Sequence, residues 1–386
     1  MWIGACTSSI GTWMQSVAQS WLVYEMSKNN PRFLAIDQFL GQIPIVVLAL
    51  LSGVVADRRS RRHILLTSQY IQMTCAFTLA ALYVTGVLQV WMVWCLSFTV
   101  GTAQAFGGPA YSALVPSLVG KQDLPNAIAL NSIQFNLARV IGPTLGGLAL
   151  LYAGATWCFT LNGFSFLAVI TTLYMIRTAF TPAKSREPML ESMKQGIRFI
   201  RERSGMQPLI VLAFVMTFMG FPLLTFMPVF AKEVYKGGSG TFTLLLVCSG
   251  LGSVCGALTI AWLGKLKHQG RAMLIALCIL GVLMIGFSLA PNLPLACVAI
   301  FLSGAALMSV FSMVSSLVQL ITPDEMRGRV MSIYNLAFRG GGPFGVLLAG
   351  SLIPKLTAPV TIACAGVGMI ALGVVFLSTQ KRVTAL

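Results

Sequence analysis

Gly53-Val54-Val55-Ala56-Asp57-Arg58-Arg59-Ser60-Arg61-Arg62 is the stretch from which the fold of this 386-residue chain can be worked out. Five of its ten residues are charged, in a protein with only 9% charged residues. An apolar run ends just before it at Leu51, and another begins just after it at Ile64. A dense charged turn between two apolar runs of membrane length must lie in water. The stretch therefore marks a short loop between two membrane-spanning helices.

The composition of the whole chain is that of a membrane protein. Hydrophobic residues make up 56% of the sequence, and the mean hydropathy is +0.83. Soluble domains carry about 25% charged residues, so this chain has too few of them to cover a soluble core. Its apolar residues form continuous runs, which indicates helices rather than the short alternating strands of a transmembrane barrel.

The sequence has no pattern typical of a metal, nucleotide or catalytic site. Its nine cysteines fall inside apolar runs without the spacing of a metal site or a disulfide framework. The two histidines, His63 and His268, lie in separate loops. A phosphate-binding G-x-x-x-x-G-K-[ST] loop is absent. We therefore expect a protein that is not an enzyme and that uses no cofactor, no metal and no ATP.

Loop residues and apolar windows divide the chain into twelve predicted spans. The spans cover residues 2–25, 33–56, 63–86, 90–116, 127–153, 156–178, 208–231, 240–263, 271–290, 293–320, 329–353 and 359–379. The longest connection separates six spans from six. We therefore predict an all-α membrane protein with an N-terminal six-helix half (1–178), a linker (179–207) and a C-terminal six-helix half (208–386).

The 26 lysines and arginines are distributed unevenly between the two sets of loops. Nineteen fall in alternate loops and the C-terminal tail, five fall in the opposite loops, and Arg139 and Arg339 fall within spans. Loops rich in Lys and Arg stay in the cytoplasm. This predicts a cytoplasmic-membrane protein with both termini and the 53–62 stretch inside the cell. The same distribution argues against nucleic acid as the partner of the +16 net charge.

The linker contains one helical pattern. Leu190, Met193, Ile197 and Ile200 recur at helical spacing, with basic residues between them. An amphipathic helix of this kind is suited to the anionic inner surface of the membrane. A flexible, solvated linker is the alternative interpretation.

The two halves carry related motifs. The sequence R-V-I-G-P at 139–143 recurs as R-G-G-G-P at 339–343. The 53–62 stretch has a degenerate counterpart at 264–271, which lacks the aspartate and most of the arginines. Duplicated six-span units around a site at the membrane midplane are the architecture of many secondary transporters.

These motifs resemble those of the major facilitator superfamily. The stretch 53–62 is similar to the superfamily motif G-x-L-A-D-R-x-G-R-R between spans 2 and 3, with Val55 and Ser60 in place of Leu and Gly. Residues 123–132 and 136–143 resemble the branch that contains the macrolide-efflux and enterobactin-exporter proteins. The resemblance covers essentially the whole chain. It implies two pseudo-symmetric six-helix bundles that transport by alternating access.

The resemblance also implies a gating role for the charged stretch. In the superfamily this cluster latches spans 2 and 11 in the outward-facing state. The corresponding residues here are Gly53, Asp57, Arg58, Arg61 and Arg62. A carboxylate beside guanidinium groups can form charge-assisted pairs of that kind. A simple cytoplasmic anchor, the alternative, would need the arginines but not Asp57.

Three charged residues inside predicted spans are candidates for proton coupling, namely Asp37, Arg139 and Arg339. A charge inside a span costs about 2.5–3.5 kcal/mol, so each side chain should face protein and have a partner. Asp37 is the most informative of the three, because apolar surroundings disfavour an ionised carboxylate. The structural alternatives are a helix-capping aspartate and arginines that hold helix ends.

Small residues in span 5 form a predicted helix-packing motif, which consists of Gly142, Pro143, Gly146 and Gly147. Small residues four apart let helices approach closely, and a proline bends a helix. The motif resembles the antiporter motif of the superfamily's exporters, which implies efflux. Ordinary helix packing is the alternative explanation.

Polar residues at helical spacing along span 1 and aromatic residues along span 7 predict the lining of a substrate cavity. The candidates are Thr12, Gln15, Ser16, Gln19, Gln38, Asn131, Phe214 and Phe218. An apolar and aromatic cavity with a few polar contacts suits bulky amphiphiles. For the phenylalanines, contact with core or lipid is the alternative.

The predicted protein is a secondary active transporter. It would export hydrophobic or amphiphilic small molecules of the drug or siderophore class by proton antiport with alternating access. Its predicted partners are the substrate, protons and the lipid bilayer, and we expect a monomer. The alternatives are a lipid or metabolite carrier of the same fold and, outside transport, a membrane scaffold.

Overall fold

Nearly all of the chain is helical. The computed structural model describes residues 1–120, 122–176, 189–264 and 267–384, and within those ranges it contains no strand. The helices form two compact units, Met1–Arg186 and Glu187–Leu386. Of the predicted linker, the described part begins at residue 189 and belongs to the second unit.

The first unit contains seven described helices. They are α1 (Trp2–Met26), α2 (Pro31–Val47), α3 (Ala49–Arg58), α4 (Arg61–Val84), α5 (Val90–Leu114), α6 (Leu124–Tyr152) and α7 (Ala155–Met175). Helices α2 and α3 together form the second predicted span, with Leu48 between them. A short 3-10 turn, Val115–Ser117, follows α5.

The second unit begins with a short helix outside the predicted spans. The described helices are α8 (Met189–Glu202), α9 (Met206–Thr225), α10 (Met227–Val229), α11 (Ser239–Leu263), α12 (Gln269–Ser288), α13 (Leu293–Ile321), α14 (Asp324–Leu356), α15 (Ala358–Thr379) and α16 (Lys381–Thr384). A π-helical turn, Phe230–Val234, continues α10, so that α9, α10 and this turn form one span.

Nine helical segments in the described ranges are long and apolar enough to cross a membrane. Three further segments, namely α1, α2 with α3, and α6, complete six spans in each unit. Helix α1 has the length of a span, with 25 residues, but carries polar side chains along its length. The prediction of an all-α membrane protein with twelve spans in two six-helix bundles is therefore confirmed.

The same pairing of helices recurs in the two units. In the first unit α1 packs against α6 and α7, α2 against α5, and α4 against α5 and α7. In the second unit α9 packs against α14 and α15, α11 against α13, and α12 against α13 and α15. Spans 1 to 6 thus pair in the same order as spans 7 to 12, which is the internal repeat that the duplicated motifs predict.

Glycines allow the paired helices to touch through their main chains. In the first unit, a Cβ added at Gly146 of α6 would lie 2.8 Å from the carbonyl oxygen of Met14 on α1. In the second unit, a Cβ at Gly345 of α14 would overlap the main chain of α9 at Phe218. Close approach through small residues is a general way for membrane helices to gain packing energy.

Gly146→Ala should push α6 away from α1, because the added methyl group meets main-chain atoms that cannot rotate away. Overpacking of this kind costs about 1–3 kcal/mol, so we expect a lower melting temperature for the detergent-purified protein. Gly286→Ala in α12 is the matched control, since a Cβ there meets no described atom within 4 Å. Equal melting temperatures for the two variants would contradict the packing role of Gly146.

Candidate functional site

Asp37 anchors a hydrogen-bonded network inside the first unit. It lies in the second turn of α2 and is only 2% exposed. Ser97 of α5 donates a hydrogen bond to Asp37 Oδ1 at 2.6 Å, and Gln19 of α1 donates one to Oδ2 at 2.9 Å. The same Gln19 Nε2 lies 2.9 Å from Ser97 Oγ. Both carboxylate oxygens are therefore bound by neutral donors from two other helices.

The network continues along α1 to α7. Gln15 Nε2 lies 3.5 Å from Gln19 Oε1, and Asn162 of α7 donates to Gln15 Oε1 at 2.6 Å. Ser165, one turn further along α7, donates to the side-chain oxygen of Asn162 at 3.1 Å. A continuous chain of polar side chains thus joins α2, α5, α1 and α7.

The sequence of α1 explains why this helix carries the network. Gln15 and Gln19 are four residues apart and so lie on one face of the helix. Gly11, one turn earlier on the same face, leaves room for the α7 side chains. A Cβ at Gly11 would lie 2.7 Å from Asn162 Oδ1, so a larger residue would displace the amide that binds Gln15.

A second polar contact joins α1 to α5 and α6. Gln134 of α6 is 6% exposed and donates to Ser9 Oγ at 3.1 Å. Tyr111 of α5 donates to Gln134 Oε1, also at 3.1 Å. Helix α1 is therefore held by side-chain hydrogen bonds at two levels, whereas a lipid-facing helix would need none.

Several members of these networks were not among the predicted site residues, namely Ser97, Asn162, Ser165 and Gln134. The same holds for Ser68 and Gln72, a separate buried pair on α4 in which Ser68 donates to the carbonyl of Ala103 on α5. Each is a hydroxyl or amide inside a predicted span, which is an available signal because unpaired polar groups are costly in a membrane. The sequence does not show which of these side chains are hydrogen-bonded to each other. The helix contacts decide which amide meets which hydroxyl.

The remaining cavity candidates of the first unit lie apart from the Asp37 network among the described contacts. Gln38 Nε2 lies 3.5 Å from Ser20 Oγ, at the limit of a hydrogen bond. Thr12 donates to a main-chain oxygen of its own helix at 2.9 Å. Two further candidates are half-buried, Ser16 and Asn131.

The two aromatic candidates lie in the second unit, on α9. The rings of Phe214 and Phe218 are stacked, with centroids 6.1 Å apart and planes at 23°. Their main chain is the surface on which Gly341 and Gly345 of α14 pack. Phe214 is 37% exposed, so its ring is not part of the core of its own unit.

Arg139 and Arg339 occupy matching positions on α6 and α14. Arg139 is half-buried in the first unit, and Arg339 is exposed in the second. Each precedes a Gly-Pro pair by three residues. The whole predicted packing motif of the first unit is buried, including Gly142, Pro143, Gly146 and Gly147. Gly142 and Gly146 of this motif face α1, where added Cβ atoms would meet Trp13 and Met14.

The arginines that end the 53–62 stretch bind helix ends within their own unit. Arg61 Nη1 donates to the carbonyl of Ala113, near the end of α5, at 2.9 Å. Arg62 Nε donates to the carbonyl of Leu173, near the end of α7, at 2.8 Å. The last carbonyls of a helix lack helical partners and carry partial negative charge. Both arginines therefore stabilise the ends of the helices that they contact.

The rest of the stretch is less fully described. Gly53 is half-buried within α3. The side chains of Asp57 and Arg58 lie outside the described part of the structure, although their main chain is helical. The gating role that the resemblance implies for these residues stays a prediction.

Arg62→Lys should destabilise the protein even though it keeps the charge. The guanidinium also donates to the carbonyl of Tyr174 at 3.3 Å and lies 5.8 Å from the centre of the Tyr174 ring. An ammonium group cannot span both carbonyls and stack on the ring, so we expect a loss of about 1 kcal/mol. Thermal unfolding in detergent would measure it. The exposed neighbour Arg59, changed to lysine, is the control, and equal losses in both variants would contradict the contact.

Six spans in each unit, paired in the same order and with polar networks inside the first, define a transporter of the major facilitator fold. The profile of the transmembrane secretion effector family of the major facilitator superfamily matches residues 1–385. The chain belongs to this family. The resemblance seen in its motifs is thereby confirmed.

Two relatives illustrate what the chain is similar to. The enterobactin exporter EntS of Shigella boydii is 28% identical over 336 residues, which cover 85% of this chain and 78% of EntS. The multidrug efflux pump Tap of Mycolicibacterium fortuitum is 24% identical over 381 residues, which cover 96% of this chain and 92% of Tap. The family and these relatives are transporters, which confirms the prediction that the chain is not an enzyme.

Solved structures show the same fold at low sequence identity. A bacterial homologue of the iron transporter ferroportin superposes with a TM-score of 0.75 at 14% identity, over 99% of this chain and 98% of that chain. The nucleoside transporter NupG gives a TM-score of 0.72 at 13% identity, over 98% of each chain. At these identities the likeness concerns the fold alone.

Proposed function

We propose that this transporter exports a hydrophobic or amphiphilic small molecule of the drug or siderophore class in exchange for protons, and that Asp37 carries the proton. The relatives support the direction and the substrate class, since one is named as a siderophore exporter and the other as a multidrug efflux pump. The observation that carries the proton role is the burial of Asp37 among neutral donors.

The surroundings of Asp37 suit a group that gains and loses a proton. Among the side chains that the structure describes, Asp37 is the only buried charged residue. Ser97 and Gln19 stabilise its ionised form by hydrogen bonds but bring no opposite charge. Protonation therefore removes a buried charge without leaving a buried cation behind, which would be costly.

Protonation of Asp37 can change the hydrogen bonds that its network makes with α1. Protonation turns one carboxylate oxygen into a donor. A proton on Oδ1 needs only the Ser97 hydroxyl to reverse and accept. A proton on Oδ2 would face the Gln19 amide nitrogen, which can only donate, so that Gln19 would have to reorient. Its oxygen faces Gln15, which in turn is bound by Asn162 of α7. A proton on Oδ2 thus affects α1, the helix that carries four of the eight predicted cavity residues.

The structural alternative for Asp37 is that it caps helix α2, but another residue is the cap of this helix. Asn30 caps α2, since its side-chain oxygen accepts a hydrogen bond from the main-chain nitrogen of Arg32 at 3.1 Å. Asp37 lies a further turn into the helix and binds side chains of other helices. This favours the proton role over a capping role.

Asp37→Asn should abolish transport driven by a pH gradient while leaving substrate exchange intact, because asparagine keeps the shape but cannot take up a proton. The measurement is uptake, into proteoliposomes with an acidic lumen, of a compound that the wild-type chain exports. Asp324→Asn is the matched control, since this carboxylate is exposed and pairs with Arg327. Undiminished driven transport by the Asp37 variant would remove it as the carrier.

Ser97→Ala should shift the pH dependence of driven transport without abolishing it. A hydrogen bond to a charged group is worth about 1.5–3 kcal/mol, and its loss disfavours the ionised carboxylate. The midpoint should therefore move to higher pH by about 1–2 units, at 1.36 kcal/mol per unit. A shift to lower pH, or none, would contradict the assigned contact.

We further propose a cytoplasmic-membrane location with both termini inside, supported by the uneven loop charges, and a gating role for Asp57. Asp57→Asn should then lower export, whereas unchanged export would contradict the gating role.

The substrate class is testable in a deletion strain. Sensitivity to amphiphilic drugs or reduced siderophore secretion supports the proposal, and an altered lipid or metabolite content alone would favour the alternative carrier.

A further inference from the structure

Helix α8 carries a basic cluster that the proposed transport function does not use. Lys194, Arg198 and Arg201 are separated by four and three residues, so they share one face of the helix. All three are exposed. Together with Ile197 and Glu202 they line a shallow cavity of about 330 Å³. We refer to these five residues as the α8 cavity.

The opposite face of α8 is already occupied by its own unit. Gly196 is buried, and a Cβ there would lie 2.8 Å from Ile333 Cδ1 of α14. Ile200, one turn later, is only 6% exposed. The sequence alone suggests that α8 inserts its apolar face into the membrane surface. In the structure Ile200 of that apolar pattern is buried, whereas Ile197 lies exposed among the basic residues, and this basic face is the one left for a partner.

The position of α8 places this basic face close to the membrane. Helix α8 ends at Glu202 and α9, an apolar span, begins at Met206. Only three residues separate them. The last turn of α8, which holds Arg201, therefore lies within a few residues of the point where the chain enters the bilayer.

The charges and shape of the α8 cavity match a phosphate group attached to an apolar body. Three cations and one anion give its lining a net charge of +2. Arg198 Nε donates to Glu202 Oε1 at 2.7 Å, which uses one of the five N–H donors of the guanidinium. Ile197 is 39% exposed between the basic residues and offers an apolar contact that a free phosphate ion would not need.

We propose that the α8 cavity binds the phosphate group of an anionic membrane phospholipid. The arginine guanidiniums hold the phosphate oxygens through charge-assisted hydrogen bonds, Lys194 adds a further positive charge, and Ile197 contacts the glycerol end of the lipid chains. This site anchors α8, and with it the start of the second unit, at the surface of the bilayer. The proposal is independent of the proton role of Asp37.

The test is photo-crosslinking of the full chain in liposomes with a trace of phosphatidylglycerol that carries a diazirine near its headgroup. We expect a labelled peptide that covers residues 189–203, and much weaker labelling with the matching phosphatidylcholine probe. Each basic residue near an anionic surface contributes about a fivefold gain in binding. Labelling of the K194Q/R198Q/R201Q variant should therefore fall by at least about tenfold.

The matched control is K28Q/K236Q/K355Q, which removes three exposed charges from loops of the opposite predicted set. Its labelling of 189–203 should equal that of the wild type. Equal labelling by both lipids, or unchanged labelling of the α8 variant, would overturn the proposal. Melting temperatures check that both triple variants fold. If the α8 variant does not fold, the labelling of the wild type is measured at increasing salt concentration instead. Labelling that does not weaken with salt would then contradict the proposal.

A second arm separates the lipid from other anions. Millimolar inorganic phosphate or glycerol phosphate should leave the phosphatidylglycerol labelling unchanged, because neither contacts Ile197. Competition by these soluble ions at that concentration would assign the cavity to free phosphate. Competition by an acidic peptide, with no effect of lipid charge, would assign it to a protein partner. Either result would overturn the lipid assignment.

Discussion

Polar groups inside a membrane bundle must find their hydrogen-bond partners in the protein, because lipid supplies none. This constraint organises the first unit. Asp37 needs donors for two oxygens and takes them from α1 and α5. The Gln19 side chain that serves it needs a partner for its own oxygen and finds Gln15, and Gln15 in turn binds Asn162. One carboxylate thus determines polar residues on four helices and fixes how α1 is placed among its neighbours.

The two units share their packing but differ in polarity. Glycines bring α6 onto α1 and α14 onto α9 in the same way. The described hydrogen bonds within the spans of the second unit run mainly from hydroxyls to the main chain, as from Ser253 to Ser249 and Gly304. Its predicted cavity residues are phenylalanines. Duplication therefore preserved the contacts between helices, while a buried charge and its amide network are described in the first unit alone.

The fold was readable from the sequence because each span carries its own signal. Apolar length, charged loops and the repeated Arg-Gly-Pro motifs are local features, and the structure has the spans where they predict them.

The site could be predicted from the sequence only in part. Asp37, Gln15 and Gln19 stand out as polar residues in apolar runs, but their partners Ser97 and Asn162 come from distant segments, and only the packing of helices brings them together. The spacing of the apolar residues of α8 predicted the helix, but Ile200 is buried whereas Ile197 is exposed among the basic residues. The partner of this helix could not be read, because α14 and a lipid surface present equally apolar faces.

The hydrogen bond between Gln15 and Asn162 has a consequence for how the protein is made. The two residues are 147 positions apart, so α1 leaves the ribosome long before its partner on α7 exists. Helix α1 is also not among the nine described segments that are long and apolar enough to cross a membrane. Its amides must remain near water or the insertion machinery until α2, α5 and α7 have been synthesised. Helix α1, which is translated before the other spans of its unit, is therefore among the last of them to settle in the bilayer, and assembly of the unit is completed around it.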